Sequence, residues 1–411
     1  MKARTLRGGR DFHRNRRGWV VRSAMLASAM LVVLSTLTTV AADEVIGAPA
    51  DSLAERAGVI LLDGVTDGHA LPVDRAVLPD PVVMDLPLNK AGWPDQGRAL
   101  LTEQAVWGGR IDIRQIFRLN GHWALLYGSR PSGQDRGEAS LGASLAFSTD
   151  LHTWHDSPLN PLFDSLRQPW QGSRARAEAL IYDDRQERWV LFFGGNGHEH
   201  IPGLRAVGIA YSSNLRDWVL EERNPVVTVD TGDIGRWGAG EQVVRIYPVA
   251  VRRHGGKWYL FLSAGGPAPG VFKAVYHMGV LVADDPAGPW QDPGTNPILT
   301  HGAKGEWDEQ GVFASGGLTR HHGRWVLTYA NRFGQVGFAV SESDRPTQGW
   351  VKAPDNPYIE GTEVRRAFVL KPVGSTWYLF YSALHPEGGL DSGDPRRMFL
   401  MTYDPPTSQD D

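Results

Sequence analysis

The sequence predicts an all-β fold, a five-bladed β-propeller, from two internal repeats and a composition rich in turn-forming and aromatic residues. In the first repeat, a tryptophan is followed six residues later by Asn-Pro. The four copies are Trp154 with Asn160-Pro161, Trp218 with Asn224-Pro225, Trp290 with Asn296-Pro297 and Trp350 with Asn356-Pro357. They are 60 to 72 residues apart, a length that four short antiparallel strands and their turns occupy.

The second repeat is a turn followed by a tryptophan and an apolar, aromatic-rich run. Its five tryptophans, here called the anchoring tryptophans, are Trp123, Trp189, Trp258, Trp325 and Trp377. Their separations are 66, 69, 67 and 52 residues, and the last copy has no Asn-Pro partner. Five units follow, of which the last is short. We expect the repeated aromatic residues to fill the spaces between adjacent blades.

Each unit is expected to form short strands, since its apolar runs are rich in β-branched and aromatic residues and are bounded by Gly, Asn, Asp and Pro. The fifth unit lacks a fourth strand. Residues 81–86, which precede the first blade, are a candidate donor to the sheet that contains residues 398–403. This pairing would join the two ends of the chain and remove an open sheet edge.

Composition agrees with one large β domain, because 48 Gly and 27 Pro supply turns, while 15 Trp, 14 Phe and 11 Tyr supply buried bulk. The 42 basic and 46 acidic residues give a formal charge of −4, which argues against nucleic acid as a partner. The chain has no cysteine, so disulfides, thiolate metal sites and a lipoprotein anchor are excluded.

The N-terminus is typical of an export signal. Seven Arg and one Lys in the first 22 residues precede an apolar stretch, 23–40, and the small residues Ala41-Ala42. We predict a signal peptide at 1–42, an N-terminal arm at 43–80 and a propeller catalytic domain at 81–411. The pair Arg16-Arg17 resembles a twin-arginine signal. The protein would then be periplasmic or secreted; the alternative is an uncleaved inner-membrane anchor.

The repeated motifs resemble those of the five-bladed propeller glycosidase clan. Asn120-Gly121-His122-Trp123 and the run from Ser148 to Trp154 carry the resemblance together with Asn-Pro. The clan comprises glycoside hydrolase families 43, 32, 62, 68 and 117, with family 130 nearby, and the resemblance covers residues 81–403. It implies that a carboxylate on the innermost strand of blade one acts as base or nucleophile. Carboxylates from later blades would serve as general acid and as modulator of its pKa.

Cleavage of an acetal needs one carboxyl group to protonate the leaving oxygen and another to attack or to activate water. We located the corresponding strand positions by counting eleven residues back from each anchoring tryptophan. They are Asp112, Glu178, Tyr247, Ala314 and Arg366. Because residues two apart share one face of a strand, Arg114, Arg176 and Arg245 are expected beside the first three. The sequence thus predicts a pocket lined by acids and arginines.

Asp112 corresponds to the clan's blade-one aspartate, although Ile113 replaces the usual proline. Arg176 and Glu178 stand where families 32 and 68 carry Arg-Asp-Pro. Asp112 could instead cap a turn or form a salt bridge, and Glu178 could instead pair with an arginine. The clan's general-acid motifs are missing, so Glu241 and Glu309, which lie in glycine-flanked loops, are the candidates. For each of these two, pairing with a nearby arginine is the alternative.

The substrate-binding candidates are Arg114, Arg176, Arg245, Tyr247 and Arg366. The guanidinium groups could select an anionic sugar or hold phosphate, or they could simply pair with Asp112 and Glu178. No metal or other cofactor is assigned. His277 is expected on the third strand of its blade and His321-His322 in a turn, and neither has the pair spacing or the neighbouring carboxylates of a metal site.

The function predicted is hydrolysis of a glycosidic bond in an extracellular or envelope polysaccharide or oligosaccharide. The enzyme would be a monomer with furanosidase-like chemistry, with carbohydrate as its partner and no membrane contact beyond export. The alternatives are a glycan-binding propeller without activity, and a transglycosidase or phosphorylase that uses the same pocket.

Overall fold

The computed structural model describes residues 98–100, 110–119, 121–130, 142–162, 175–195, 206–238, 243, 245–266, 275–309, 311–312, 317–321, 323–331, 333–360, 365–384 and 396–404. The predicted signal peptide, the arm, residues 81–86, Glu241 and Ala314 lie outside these ranges.

The described residues form short strands and one 3-10 helix, Thr231–Arg236. In chain order the strands are β1 (Arg98–Leu100), β2 (Arg110–Leu119), β3 (His122–Arg130), β4 (Ser144–Ser148), β5 (His155–Asp156), β6 (Ala175–Asp183), β7 (Arg188–Gly195), β8 (Ala206–Ser212), β9 (Val219–Leu220), β10 (Arg245–His254), β11 (Lys257–Gly266), β12 (Val275–Ala283), β13 (Leu318–His321), β14 (Arg324–Ala330), β15 (Val336–Ser341), β16 (Trp350–Lys352), β17 (Arg365–Val373), β18 (Thr376–Leu384) and β19 (Arg396–Tyr403).

These strands make five antiparallel sheets, one for each sequence unit. Their strand orders are β2-β3-β4-β5, β6-β7-β8-β9, β10-β11-β12, β13-β14-β15-β16 and β1-β19-β18-β17. The predicted five-bladed propeller is therefore confirmed. Blade three has three strands in the described ranges, and single bridges of Val282 with Gln291 and Met278 with Leu299 stand at its outer edge. Prolines interrupt this segment and cannot donate to a ladder.

The last sheet joins the two ends of the propeller. β1 pairs with β19, with Arg98 opposite Leu400 and Leu100 opposite Met398. An N-terminal strand thus joins the sheet of the fifth unit, and it is β1. The predicted donor, residues 81–86, lies outside the described residues, so its pairing stays a prediction. The strand is three residues long, in keeping with the short edge strands by which sheets limit unwanted pairing.

The core consists of five apolar clusters, and each cluster joins two adjacent blades. Every anchoring tryptophan packs against the preceding blade: Trp189 against Phe117 and Leu145 of blade one, for example, and Trp123 against Val369 and Phe380 of blade five. The same holds for Trp258, Trp325 and Trp377. All five are at most 5% exposed, so the predicted role of these aromatics between blades is confirmed.

The four Asn-Pro copies make the same pair of hydrogen bonds. Each asparagine accepts the backbone N–H of one residue on the third strand of its blade and donates its amide to the carbonyl oxygen of that same residue. The pairs are Asn160 with Leu145, Asn224 with Ile209, Asn296 with Val280 and Asn356 with Phe338, at 2.7 to 2.9 Å. Each side chain therefore replaces one rung of a β-ladder.

Candidate active site

The site residues lie on the first strands of blades one to three, where the backbone register is irregular. The pairing of β2 with β3 skips Arg114, and the pairing of β6 with β7 skips Glu178. An extra residue of this kind, a β-bulge, redirects the side chain that it carries. The two bulges bring the side chains of Arg114 and Glu178 together between adjacent blades, at 3.6 Å.

Arg114 connects the two predicted catalytic carboxylates. Its Nη2 lies 3.7 Å from Oδ2 of Asp112, and its Nη1 lies 3.6 Å from Oε2 of Glu178. The three side chains are 3% to 4% exposed. Both distances exceed those of good hydrogen bonds, so the contacts are ionic. Buried charges need such compensation, because removal from water is costly.

Arg176 holds the other oxygen of Glu178. Both its Nε and its Nη2 lie 2.6 Å from Oε1, which makes these the shortest charged contacts of the site. Burial alone would lower the pKa of the Arg176 guanidinium, but the negative charges of Glu178 and Asp112 outweigh it and raise that pKa. Glu178 is therefore a tightly oriented carboxylate.

Space for the Glu178 carboxylate depends on a glycine. Gly194 on β7 lies opposite Arg176, and a Cβ at this position would be 3.0 Å from Oε1 of Glu178. That distance is shorter than ordinary van der Waals contact, so a larger residue would displace the carboxylate.

A second group, made of Arg245, Tyr247 and Tyr276, adjoins Arg176. The hydroxyls of Tyr247 and Tyr276 are 3.4 Å apart, and their rings meet edge to face with centroids 5.3 Å apart. Hydrogen bonding to Tyr276 is the main reason that the pKa of Arg245 is raised. Burial and the neighbouring Tyr247 raise the pKa of Tyr276. Tyr247 lies at the same level of its blade as Arg176, since each is opposite the residue five positions after the anchoring tryptophan, and its charge helps to raise the pKa of Arg176.

Glu309 occupies a local turn. Its Oε2 accepts the backbone N–H of Gly305 at 2.7 Å, and the hydrogen bonds described for its side chain stay within this turn. The adjacent Asp308 is buried and accepts hydrogen bonds from Lys352 at 2.6 Å and from the Tyr329 hydroxyl at 3.4 Å. The role of Glu309 as general acid thus stays a prediction, and the geometry gives its carboxylate a capping contact.

The remaining candidates are placed only in part. Glu241 lies outside the described residues, and for Arg366 only the backbone is described, where it pairs with Ser382 on β18. Among the described residues, no group of three or more His, Asp or Glu side chains could hold a metal ion. The sequence reasoning missed Tyr276 and Gly194 because it counted positions on first strands, whereas these residues lie on β12 and β7.

His277 is a further buried polar residue outside this group. It lies on β12, the third strand of its blade as expected, and is 1% exposed. Its ring stands edge to face with that of His301, with centroids 5.1 Å apart. In the part of the chain that the structure describes, neither ring nitrogen has a hydrogen-bond partner. Burial, and then the proximity of His301 and Lys352, lower its pKa to about 4.

No protein-family model and no curated protein matches this chain. Solved structures do match it. BT0996, in its RGII complex, superposes with a TM-score of 0.59 at 17% identity, covering 76% of this protein and 92% of the other. A protein named only as a glycoside hydrolase superposes with a TM-score of 0.59 at 16% sequence identity, covering 77% of this protein and 93% of the other. A thermostable family-43 glycoside hydrolase superposes with a TM-score of 0.51 at 15% sequence identity, covering 72% of this protein and 91% of the other.

The chain has the five-bladed propeller fold of these glycoside hydrolases. The resemblance to the propeller glycosidase clan that the sequence repeats indicated is confirmed for the fold. A search of the described residues for helices found none that is both long and apolar enough to span a bilayer.

Proposed function

We propose that the protein is an exported glycoside hydrolase that cleaves a glycosidic bond in a polysaccharide or oligosaccharide, with furanosidase-like chemistry. The observation that supports this most is the pair of buried carboxylates, Asp112 and Glu178, joined by Arg114 on the innermost strands of adjacent blades. The solved structures that share this fold include glycoside hydrolases, in which two carboxyl groups commonly carry the reaction.

The roles follow from the different partners of the two acids. Oε1 of Glu178 already accepts two N–H groups at 2.6 Å, an arrangement that suits an oriented negative charge rather than a proton donor. Asp112 has the looser ionic contact with Arg114, at 3.7 Å. We assign Asp112 as base or nucleophile, and Glu178 as the carboxylate that fixes Arg114 and Arg176 around it. The general acid is assigned to the loop that contains Glu241, since Glu309 is engaged in its own turn.

The test is Asp112→Asn, which keeps the shape of the side chain but can neither accept a proton nor attack carbon. We expect release of reducing sugar to fall by several orders of magnitude, while the circular dichroism spectrum and glycan affinity stay close to those of the wild type. Asp233→Asn is the matched control, because Asp233 is 65% exposed and has a positive φ that asparagine tolerates. Full activity in Asp112→Asn would refute the assignment.

Glu241→Gln and Glu309→Gln locate the general acid. Replacement of the true general acid should lower the rate less on substrates with a good leaving group, because these need little protonation. We expect this pattern in Glu241→Gln, and wild-type kinetics in Glu309→Gln.

A glycan-binding propeller without activity is the second candidate. It is favoured by the engagement of Glu178 with two arginines and of Glu309 with a backbone N–H. In that case the wild-type protein binds oligosaccharide but releases no reducing sugar from any polysaccharide tested.

A further inference from the structure

The three arginines of the site have different partners. Arg114 and Arg176 contact carboxylates, whereas Arg245 shares one row of its sheet with Tyr276, because both lie opposite Gly265, which has no side chain to separate them. Among the ion pairs of the described residues, none involves Arg245. Two arginines therefore balance two acids, and the third carries a charge that no described acid balances.

Arg245 also differs in exposure. It is exposed at the first position of β10, while Asp112, Arg114 and Glu178 are buried. Its two phenol partners are rigid, because the Tyr276 side chain is buried and packs edge to face against Tyr247. A long, flexible side chain on a surface normally loses much entropy when it binds a ligand. Here the two phenol rings beside Arg245 are already fixed, and they limit the space in which its side chain can move before any ligand arrives.

The strand register gives the position of Arg245 relative to the acids. Asp112, Arg176 and Tyr247 each lie opposite the residue five positions after the anchoring tryptophan of their blade, namely Gly128, Gly194 and Ser263. Arg245 lies opposite Gly265, two residues nearer the start of its strand, so it stands beyond the level of Asp112 and Tyr247 and is exposed there. A sugar bound with its scissile bond at Asp112 would extend past an aromatic residue toward this cation.

We propose that Arg245, which lies beside Tyr247 and Tyr276, binds the carboxylate of an acidic sugar residue, so that the substrate is a uronic-acid-containing glycan. This inference rests on the proposed function for the bond that is cleaved, but the binding itself can be tested alone. A guanidinium and a carboxylate match in planar geometry and can form two parallel hydrogen bonds. A neutral sugar offers only hydroxyls and would leave the charge of Arg245 unbalanced.

Binding is measured by isothermal titration calorimetry with the full chain. The probes are oligogalacturonides and their carboxyl-reduced counterparts, which differ only in carrying a hydroxymethyl group in place of each carboxylate. We expect the wild type to prefer the acidic probe by about 10- to 100-fold in Kd, the factor that corresponds to a charge-assisted hydrogen bond. Arg245→Gln should lose this preference, and Arg245→Lys should keep part of it because the charge remains.

Arg216→Gln is the matched control. Arg216 is exposed in the turn after β8. This turn lies at the opposite end of its blade from Arg176, because Ser212 at the end of β8 pairs with Trp189 near the start of β7, whereas Arg176 pairs with Gly194 near the end of β7. The Arg216→Gln variant should retain the wild-type preference for the acidic probe. Equal affinity for the two probes in the wild type, or an unchanged preference in Arg245→Gln, would overturn the inference. Release of sugar 1-phosphate in phosphate buffer, with phosphate displacing the acidic probe, would also overturn it, because Arg245 would then bind phosphate.

The two proposals fail separately. Preference for the acidic probe that depends on Arg245, without release of reducing sugar, supports the binding site and refutes hydrolysis. Release of reducing sugar from acidic and carboxyl-reduced glycans alike, unchanged in Arg245→Gln, supports hydrolysis and refutes the carboxylate site.

Discussion

Replacement of Asn356 by alanine tests whether the Asn-Pro asparagines stabilise the blades as ladder rungs. The side chain accepts the N–H of Phe338 at 2.9 Å, donates to its carbonyl oxygen at 2.9 Å, and donates to the Tyr329 hydroxyl at 3.1 Å. Phe338 is fully buried, and its carbonyl oxygen also accepts the Ala353 N–H at 2.9 Å, so the truncation removes the three side-chain bonds and leaves this backbone bond in place. A hydrogen bond has a net value of about 0.5 to 1.5 kcal/mol, and we expect a total loss of about 2 to 4 kcal/mol for the three.

Asn224→Ala is the matched variant, because Asn224 makes the same two bonds with Ile209, at 2.9 Å each. Its loss should be smaller by about 1 kcal/mol, the net value of one hydrogen bond, if the Tyr329 contact contributes. Asn356→Asp keeps the acceptor but places a second oxygen against the Phe338 carbonyl, and should be no more stable than the alanine variant. Urea unfolding followed by tryptophan fluorescence gives the midpoints. A loss below about 1 kcal/mol in Asn356→Ala, with Asn356→Asp unaffected, would refute the ladder-rung explanation.

Two further predictions concern His277 and Gly194. The folded-state pKa of His277 is about 4, below its ordinary value of 6.5, so the unfolded chain takes up the proton first as the pH falls. The contribution of neutral His277 to the free energy of unfolding is therefore fully present above pH 6.5. It decreases by up to about 3 kcal/mol as the pH drops to about 4. Urea midpoints across this range should show the decline in the wild type and a flatter profile in His277→Leu, and equal slopes would contradict it. Gly194→Ala should lower kcat about 10- to 100-fold with little change in the urea midpoint, because its Cβ, 3.0 Å from the Glu178 oxygen, displaces one carboxylate rather than the core; unchanged kcat would show that Glu178 is not positioned by this glycine.

The repeats determined how much of the fold could be predicted. The anchoring tryptophan recurs every 52 to 69 residues and predicts the number of blades, because each copy fills the same gap between neighbouring blades. The donor strand was harder to identify, since β1 is three residues long and carries no periodic pattern. The three-stranded form of blade three in the described ranges was also unpredictable from the repeat, because Trp290 and Asn296 are present there as in the other blades.

The site was predictable to the extent that it follows the repeat. Counting from the anchoring tryptophans reached Asp112, Glu178 and Tyr247, and the alternation of strand residues added Arg114 and Arg176. The bulges at Arg114 and Glu178 could not be foreseen, because they depend on the register with the neighbouring strand. Nor could the different partners of the three arginines, since these depend on contacts between blades.

The pairing of β1 with β19 has a consequence for biosynthesis. β19 is the last of the described strands to be synthesised, and its Met398 and Leu400 pack in the cluster that joins blade five to blade one. Blades two, three and four can form in order as they emerge, but the ring stays open, with an apolar face on blade one uncovered, until residues 396–403 arrive. A chain truncated before this strand would expose that face and one sheet edge, a state that chaperones and proteases recognise. Closure of the propeller thus has to wait for the last of its described strands, whatever the order in which the other blades fold.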